Sequence, residues 1–265
     1  MLTTFNKGTL HPVKTPATKE KLIKNTGQAT NQEINQYQQY VGSLLYLGLK
    51  TRIDIAFTVQ NYAKYASNPS KQHYTAINRI FAYLNKNKDK NIGNKYNCNN
   101  LNLILKGYLD SDWVSCLDIR RSITGYIFTL LNNPISWNVQ IQKTVALLTC
   151  EAEYMALAEA IKEGLYLNNI IITIRKILNL KDIVYNKPVI YKDNNAALKL
   201  ANNPEFHKRS KHIDIKYHFI RDIINKGLME IVYINTKEQL ADPLTKAIVS
   251  APILEEWRNK INLTE

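Results

Sequence analysis

The chain has 265 residues, 45% of them hydrophobic, with 35 Lys and Arg against 22 Asp and Glu and a net charge of +13. This length and apolar content allow one large folded domain or two modest ones and exclude a mostly disordered chain, while the basic excess points to nucleic acid or an acidic membrane surface. No segment approaches the ~20 apolar residues that span a bilayer, and Met1-Leu-Thr-Thr-Phe-Asn-Lys lacks the apolar core of a secretion signal. Cys98, Cys116 and Cys150 are odd in number and widely spaced. They fit neither a disulfide framework nor a zinc site, so a reducing compartment is expected.

Residues 1–35 are polar and without period, which predicts an extended or partly disordered lead-in. From Ile34 to Lys86 the pattern turns helical. Val41-Gly-Ser-Leu-Leu-Tyr-Leu and Ile53-Asp-Ile-Ala-Phe-Thr-Val supply two short helices. After Pro69, Tyr74, Ile77, Phe81 and Leu84 recur at three- and four-residue steps, an amphipathic helix. Asn87 to Asn102 is rich in Lys and Asn and reads as a solvated linker. Strands follow at Leu101–Asp110, at Ser122–Leu131 before an Asn132-Asn-Pro turn, at Ile135-Ser-Trp and at Thr144–Leu148. A long helix is expected from about Glu151 toward Leu178, then a short strand, Val189-Ile-Tyr, ending at Asp193. A helix should start at Asn194, and another should run from Ile213 to Lys226 and stop at Gly227. Met229–Ile234 is the last strand and Glu238–Ala247 the last helix. Three strands in a meander followed by alternating helices and strands predict an α/β or α+β domain, with helices on the faces of a mixed sheet.

Asp110, Glu153, Asp193 and Asp242 fall at strand exits or helix starts. An all-oxygen cluster gathered from distant elements suits hard divalent ions such as Mg2+. Two such ions about 3.5–4 Å apart catalyse in-line displacement at phosphodiesters. A basic chain around acids is consistent with a metal-dependent nuclease, the acids holding metal and the bases a polyanion. Each acid also has a plainer reading. Asp110 and Asp112 share a strand face, so either one is available as the ligand. Glu151 and Glu153 differ by about 200° around a helix. Glu151 suits the helix dipole, whereas Glu153 shares an inward stripe with Leu157 and Ala160, where a carboxylate must be paired or metal-bound. Asp193 would serve as a helix cap, and Asp242 before Pro243 as an ordinary helix start.

Five strings occur in order: Gly107-Tyr-Leu-Asp-Ser-Asp-Trp, Thr149-Cys-Glu-Ala-Glu-Tyr-Met-Ala-Leu, Lys192-Asp-Asn-Asn-Ala-Ala, Phe206-His-Lys-Arg-Ser-Lys-His-Ile-Asp-Ile-Lys-Tyr-His-Phe-Ile and Glu238-Gln-Leu-Ala-Asp-Pro-Leu-Thr-Lys. Together they resemble the ribonuclease H domain of copia-type LTR retrotransposon polyproteins. Tyr40-Val-Gly-Ser-Leu-Leu-Tyr-Leu and Thr51-Arg-Ile-Asp-Ile-Ala-Phe look like the reverse-transcriptase tail of that family. The resemblance runs from about residue 36 to 248. It implies a lead-in at 1–35, a helical connection at 36–95, a ribonuclease H-like domain at 101–248 and a tail at 249–265. Leu109 stands where the family usually has Ser, and Cys150 where it has Thr or Ala. No Tyr-x-Asp-Asp polymerase motif occurs, since Tyr191-Lys-Asp-Asn lacks the second Asp. The chain therefore resembles the C-terminal piece of a longer polyprotein.

The resemblance implies an endonuclease that cuts the RNA strand of RNA–DNA hybrids with two Mg2+ ions, for which Mn2+ would substitute. Asp110 would bridge both ions. Asp242 would complete the water-activating site, and Glu153 and Asp193 the site at the leaving oxygen. Lys208, Arg209 and Lys211 are the expected phosphate contacts. His212, ahead of His218, is the candidate for a histidine assisting product release, and Asn194 for reading the 2′-hydroxyl that distinguishes RNA from DNA. The expected partners are the hybrid and the reverse-transcriptase core, not a membrane. The expected place is the cytoplasm, in virus-like particles, with the nucleus as the alternative. A catalytically silent remnant that only binds nucleic acid is the competing function.

Overall fold

The computed structural model describes residues 1–86, 92–94, 103–116, 121–142, 149–180, 185–193 and 211–264; at 94, 113–116, 149–150 and 211–214 it describes backbone only. The chain forms two compact units, Met1–Lys95 with Lys246–Glu265, and Tyr96–Thr245.

The first unit holds helices α1 (Asn31–Lys50), α2 (Ile53–Ala63) and α3 (Lys71–Lys86), and the short strand β1 (Gly93–Asn94). Helix α1 begins at a capping box: the Thr30 hydroxyl accepts from the Glu33 N–H, and the Glu33 carboxylate accepts from the Thr30 N–H. This satisfies two backbone donors that a helix start leaves open. Tyr37, Leu44, Ile53, Ile77 and Phe81 are buried between the helices. A buried ion pair joins Arg52 and Asp54 through two contacts of 2.9 and 2.7 Å, and the Tyr83 hydroxyl donates to the same carboxylate. Residues 1–30 contain no helix or strand. They are nonetheless held in place, because Asn85 donates to the Gly8 and Leu10 carbonyls and Phe5 packs edge-on against Tyr40.

The second unit is built on β2 (Leu105–Cys116), β3 (Arg121–Leu130), β4 (Asn133–Ile141), β5 (Val189–Lys192) and β6 (Glu230–Tyr233), in the order β4-β3-β2-β5-β6. The first three form an antiparallel meander, and β5 and β6 add in parallel on the far side of β2. The strand expected to end at Asp110 runs on to Cys116. The β3–β4 hairpin turns at Leu131 and Asn132, whose φ values of 54° and 61° match the twist such two-residue turns need. The turn thus comes one residue earlier than Asn132-Asn-Pro suggests. Asn133 is instead fully buried at the start of β4, its side-chain amide donating to the Leu131 carbonyl. The strand expected at Thr144–Leu148 and the helix expected at Asn194 lie outside the described residues.

Helices α4 (Thr149–Ile177) and α5 (Lys211–Asn225) pack with the sheet around one core. Leu105 and Leu109 of β2, Phe128 of β3 and Ile190 of β5 meet Leu157 and Ile161 of α4 and Ile220 of α5 there. Alternation along the strands sends these residues to one face. Asp110 on β2 and Tyr191 on β5 sit at the opposite parity. Helix α5 ends as its sequence suggests, at Gly227 with φ +63°.

The expected helix over Glu238–Ala247 is absent, replaced by two short 3-10 turns, Thr236–Glu238 and Asp242–Leu244. Gln239 between them is extended, because its side chain is committed elsewhere: it donates to the Leu109 carbonyl and accepts from the Ala241 N–H. Pro243 offers no N–H to continue a helix. Beyond residue 248, where the sequence suggests a tail, the chain forms α6 (Ala251–Lys260) and β7 (Leu263–Thr264), which pairs antiparallel with β1 in the first unit. Leu254, Trp257, Ile261 and Leu263 are buried there. Among the described residues no helix is long and apolar enough to cross a membrane.

Candidate metal centre

The centre is assembled by β2, the end of β5 and the second 3-10 turn. Asp110 lies on β2 opposite Gly125 of β3, in the regular part of the ladder. Asp193 directly follows β5, and Asp242 opens the turn. One carboxylate oxygen from each of Asp110, Asp193 and Asp242 falls within 4.8 Å of the others. Asp110 is buried and the other two are half-buried. Three carboxylates this close make a ready-made oxygen donor set for a divalent cation.

Two side chains that carry no chemistry of their own fix the geometry. The Thr245 hydroxyl donates to Asp110 Oδ2 and lies 3.0 Å from the Asp242 carbonyl oxygen, so one residue ties the turn to the strand. Gln239, 4% exposed, bonds to the carbonyl of Leu109, the residue before Asp110. Gly125 supplies the clearance. A Cβ there would stand 2.7 Å from Leu244 Cβ and 2.9 Å from Thr245 Cγ2, so only glycine lets the turn lie this close to β3.

Glu153 stands outside the three-carboxylate group. It is buried on the first turns of α4, whose start is docked by Gln142 donating to the Ala152 carbonyl at 2.8 Å. Its carboxylate is in ion-pair contact with Lys192 Nζ, and the two side chains are 6% and 1% exposed. Lys192 is two residues beyond Ile190, so strand alternation turns it toward the helix-covered face where Glu153 lies. Burial lowers the Lys192 ammonium to about 7, with Asp110 and Asp193 pulling it back up. Sequence reasoning placed Lys192 within a motif and gave it no role. The signal was available, since a lysine in step with a core isoleucine on a short strand has to point inward.

Asp112 is half-buried and is not one of the three clustered acids. Glu151, in the first turn of α4, is also buried. Asn194, Lys208 and Arg209 lie outside the described residues. Lys211 and His212 open α5, where only their backbone is described, and His218 is exposed on the same helix. Thr245 and Gln239 do not stand out in the sequence, although Thr245 sits one turn after Asp242 inside the last of the five motifs.

A five-stranded mixed sheet of this order, carrying acids on its central strand, at the end of the neighbouring parallel strand and on a C-terminal turn, with helices packed on it, is a domain of the mixed α/β class. No protein-family model matches the chain. It is 37% identical over 257 residues to the retrovirus-related Pol polyprotein from transposon TNT 1-94 of Nicotiana tabacum, covering 94% of this chain and 18% of that protein. It is 36% identical over 264 residues to the retrovirus-related Pol polyprotein from transposon RE2 of Arabidopsis thaliana, covering 99% and 17%. The homologues of this chain over nearly its whole length are thus copia-type retrovirus-related Pol polyproteins, and the chain spans less than a fifth of the length of these relatives. Among solved structures it is similar to LC11-RNase H1 in complex with RNA/DNA hybrid, at 14% identity over 53% of this chain and 92% of that one, with a TM-score of 0.37.

Proposed function

We propose that the second unit is a divalent-metal-dependent endonuclease that hydrolyses the RNA strand of RNA–DNA hybrids during retrotransposon reverse transcription. The observation that carries this reading is the convergence of Asp110, Asp193 and Asp242, oxygens within 4.8 Å, from three separate elements of the sheet. Homology to retrovirus-related Pol polyproteins supports the same role.

Carboxylates alone would repel a phosphodiester, so the centre needs a cation before it can hold one. The donor set fits a hard divalent ion such as Mg2+ or Mn2+, which prefers oxygen ligands. Asp110, Asp193 and Asp242 would hold it. A bound ion supplies positive charge at the scissile phosphate and at the attacking water. Thr245 keeps Asp110 oriented, and Gln239 keeps the Asp242 turn against β2. Glu153 would join the ligand set for a second ion, from which its pairing with Lys192 at present withholds it.

The basic run Lys208, Arg209 and Lys211 would meet the phosphate backbone, with His212 directly after that run in sequence and Asn194 directly after Asp193. The reverse-transcriptase core of the same polyprotein would be the partner that delivers the hybrid. A second reading, a catalytically silent nucleic-acid-binding module, is favoured by the buried lysine among the acids. Labelled hybrid incubated with the purified chain separates the two. RNA cleavage that requires Mg2+ or Mn2+ and stops on chelation is expected. Binding without cleavage at any divalent-ion concentration would support the silent module, and cleavage that survives full chelation would remove the metal from the reading.

A further inference from the structure

The Glu153–Lys192 pair gives the centre a charge pattern that its motifs do not announce. We propose that Lys192 determines how many metal ions the centre accepts: its ammonium occupies Glu153, so the resting centre takes up one divalent ion, and a second can use Glu153 only once Lys192 has moved away. This rests on the reading of the three aspartates as a metal site.

Three observations support it. The pair is closed off from solvent, with side chains 1% and 6% exposed, so neither partner trades the contact for water. Wherever the shared proton resides, the pair carries no net charge. The ionised centre therefore totals the three charges of Asp110, Asp193 and Asp242, against the four it would hold with Glu153 unpaired. Two divalent ions about 3.5–4 Å apart repel strongly and depend on that negative charge to sit together. Lastly, Lys192 is fixed by its strand: its carbonyl accepts from the Ile234 N–H at 2.9 Å, which anchors the backbone, so only the side chain is left to move. Splitting a buried pair leaves one charge uncompensated, a large penalty. A second ion would have to overcome that penalty before Glu153 became a ligand.

The test counts Mn2+ bound per chain, by calorimetry together with the electron paramagnetic resonance signal of free Mn2+, on the full 265-residue chain. One ion is expected for the wild type, two for Lys192→Met and one again for Lys192→Met combined with Glu153→Gln. Two ions on the wild type, or one on a folded Lys192→Met, overturn the proposal while leaving the metal site standing. No ion on the wild type removes the metal reading itself, and this proposal with it. Lys192→Met leaves a buried carboxylate without its partner and is liable to unfold; Lys192→Gln, which keeps a hydrogen-bond donor toward Glu153 but carries no charge, takes its place in that case, with two ions expected and one ion on the folded protein overturning the proposal. A double variant that binds two ions shows that Glu153 is not the second ligand, and overturns the proposal.

Discussion

Asp110 is where strand geometry, hydrogen bonding and charge meet. It is buried on the central strand, accepts from Thr245 and shares an oxygen cluster with Asp193 and Asp242. Asp112, two residues on, is at the same strand parity and outside the cluster. Asp110→Asn should lower hybrid cleavage by about three orders of magnitude, since metal charge stabilisation is worth several kcal/mol and ~1.4 kcal/mol is tenfold. Asp112→Asn should cost far less. The thermal midpoint of metal-free Asp110→Asn should not fall, because the substitution relieves repulsion among crowded carboxylates. Equal rates for the two variants would mean the wrong acid had been chosen, and a much lower midpoint would mean Asp110 holds the fold rather than the metal. The three acids stood out in the sequence because each lies in one of the motifs, although Asp110 sits within β2 rather than at the strand exit expected. Glu153 was legible as an inward carboxylate that must be paired or metal-bound. Its pairing with Lys192 was not legible, because it depends on two elements, α4 and β5, coming into register.

At the scale of elements, the Asp242 turn is seated on β3 by the missing side chain of Gly125. Gly125→Ala would put a Cβ 3.0 Å or less from three atoms of Leu244 and Thr245, two of them side-chain carbons and one the Leu244 backbone carbon. Overpacking of this kind costs typically about 1–3 kcal/mol. The turn should shift, taking both Thr245 and Asp242 away from Asp110. Gly125→Ala should therefore weaken Mn2+ binding together with stability, whereas Gly227→Ala, at a left-handed helix end with no neighbour within 4 Å of the added Cβ, should lower stability alone. Calorimetric Mn2+ titration and denaturant unfolding of both variants check this, and unchanged Mn2+ affinity in Gly125→Ala would show that the turn's seat does not matter to the centre. The meander, α4 and α5 were readable from period and stop signals. The region after β6 was not. Gln239 and Pro243 give up local helix for tertiary bonds, and local sequence does not reveal that the Leu109 carbonyl is waiting. Helix α6 was missed for the opposite reason. It buries Leu254 and Trp257 over only ten residues, too few turns for a period to stand out.

At the scale of the whole molecule, a chain of net charge +13 brings three of its 22 Asp and Glu together at one centre. That distribution favours a polyanion, because the long-range field attracts phosphate while the acidic centre needs a cation to admit it. Association with a hybrid should accordingly weaken steeply with salt, each phosphate neutralised contributing about −0.9 to the slope of log affinity against log salt for a B-form duplex, and a similar amount here. Lys208, Arg209 and Lys211 are the densest basic run in the recognised motifs. If they hold backbone phosphates rather than base edges, replacing all three with Ala should reduce affinity for every hybrid sequence to a similar degree. It should also flatten the slope by about 0.9 for each phosphate no longer neutralised. Mn2+ stoichiometry should be unchanged, since none of the three belongs to the carboxylate cluster. The measurement is hybrid affinity at several salt concentrations, for wild type and triple variant, on at least two unrelated sequences. A flatter slope with uniform loss assigns the run to the phosphate backbone. Loss confined to one sequence would mean it reads bases instead. An identical slope would make it a solvated face, and the search for the nucleic-acid surface would pass to the lysines of the first unit.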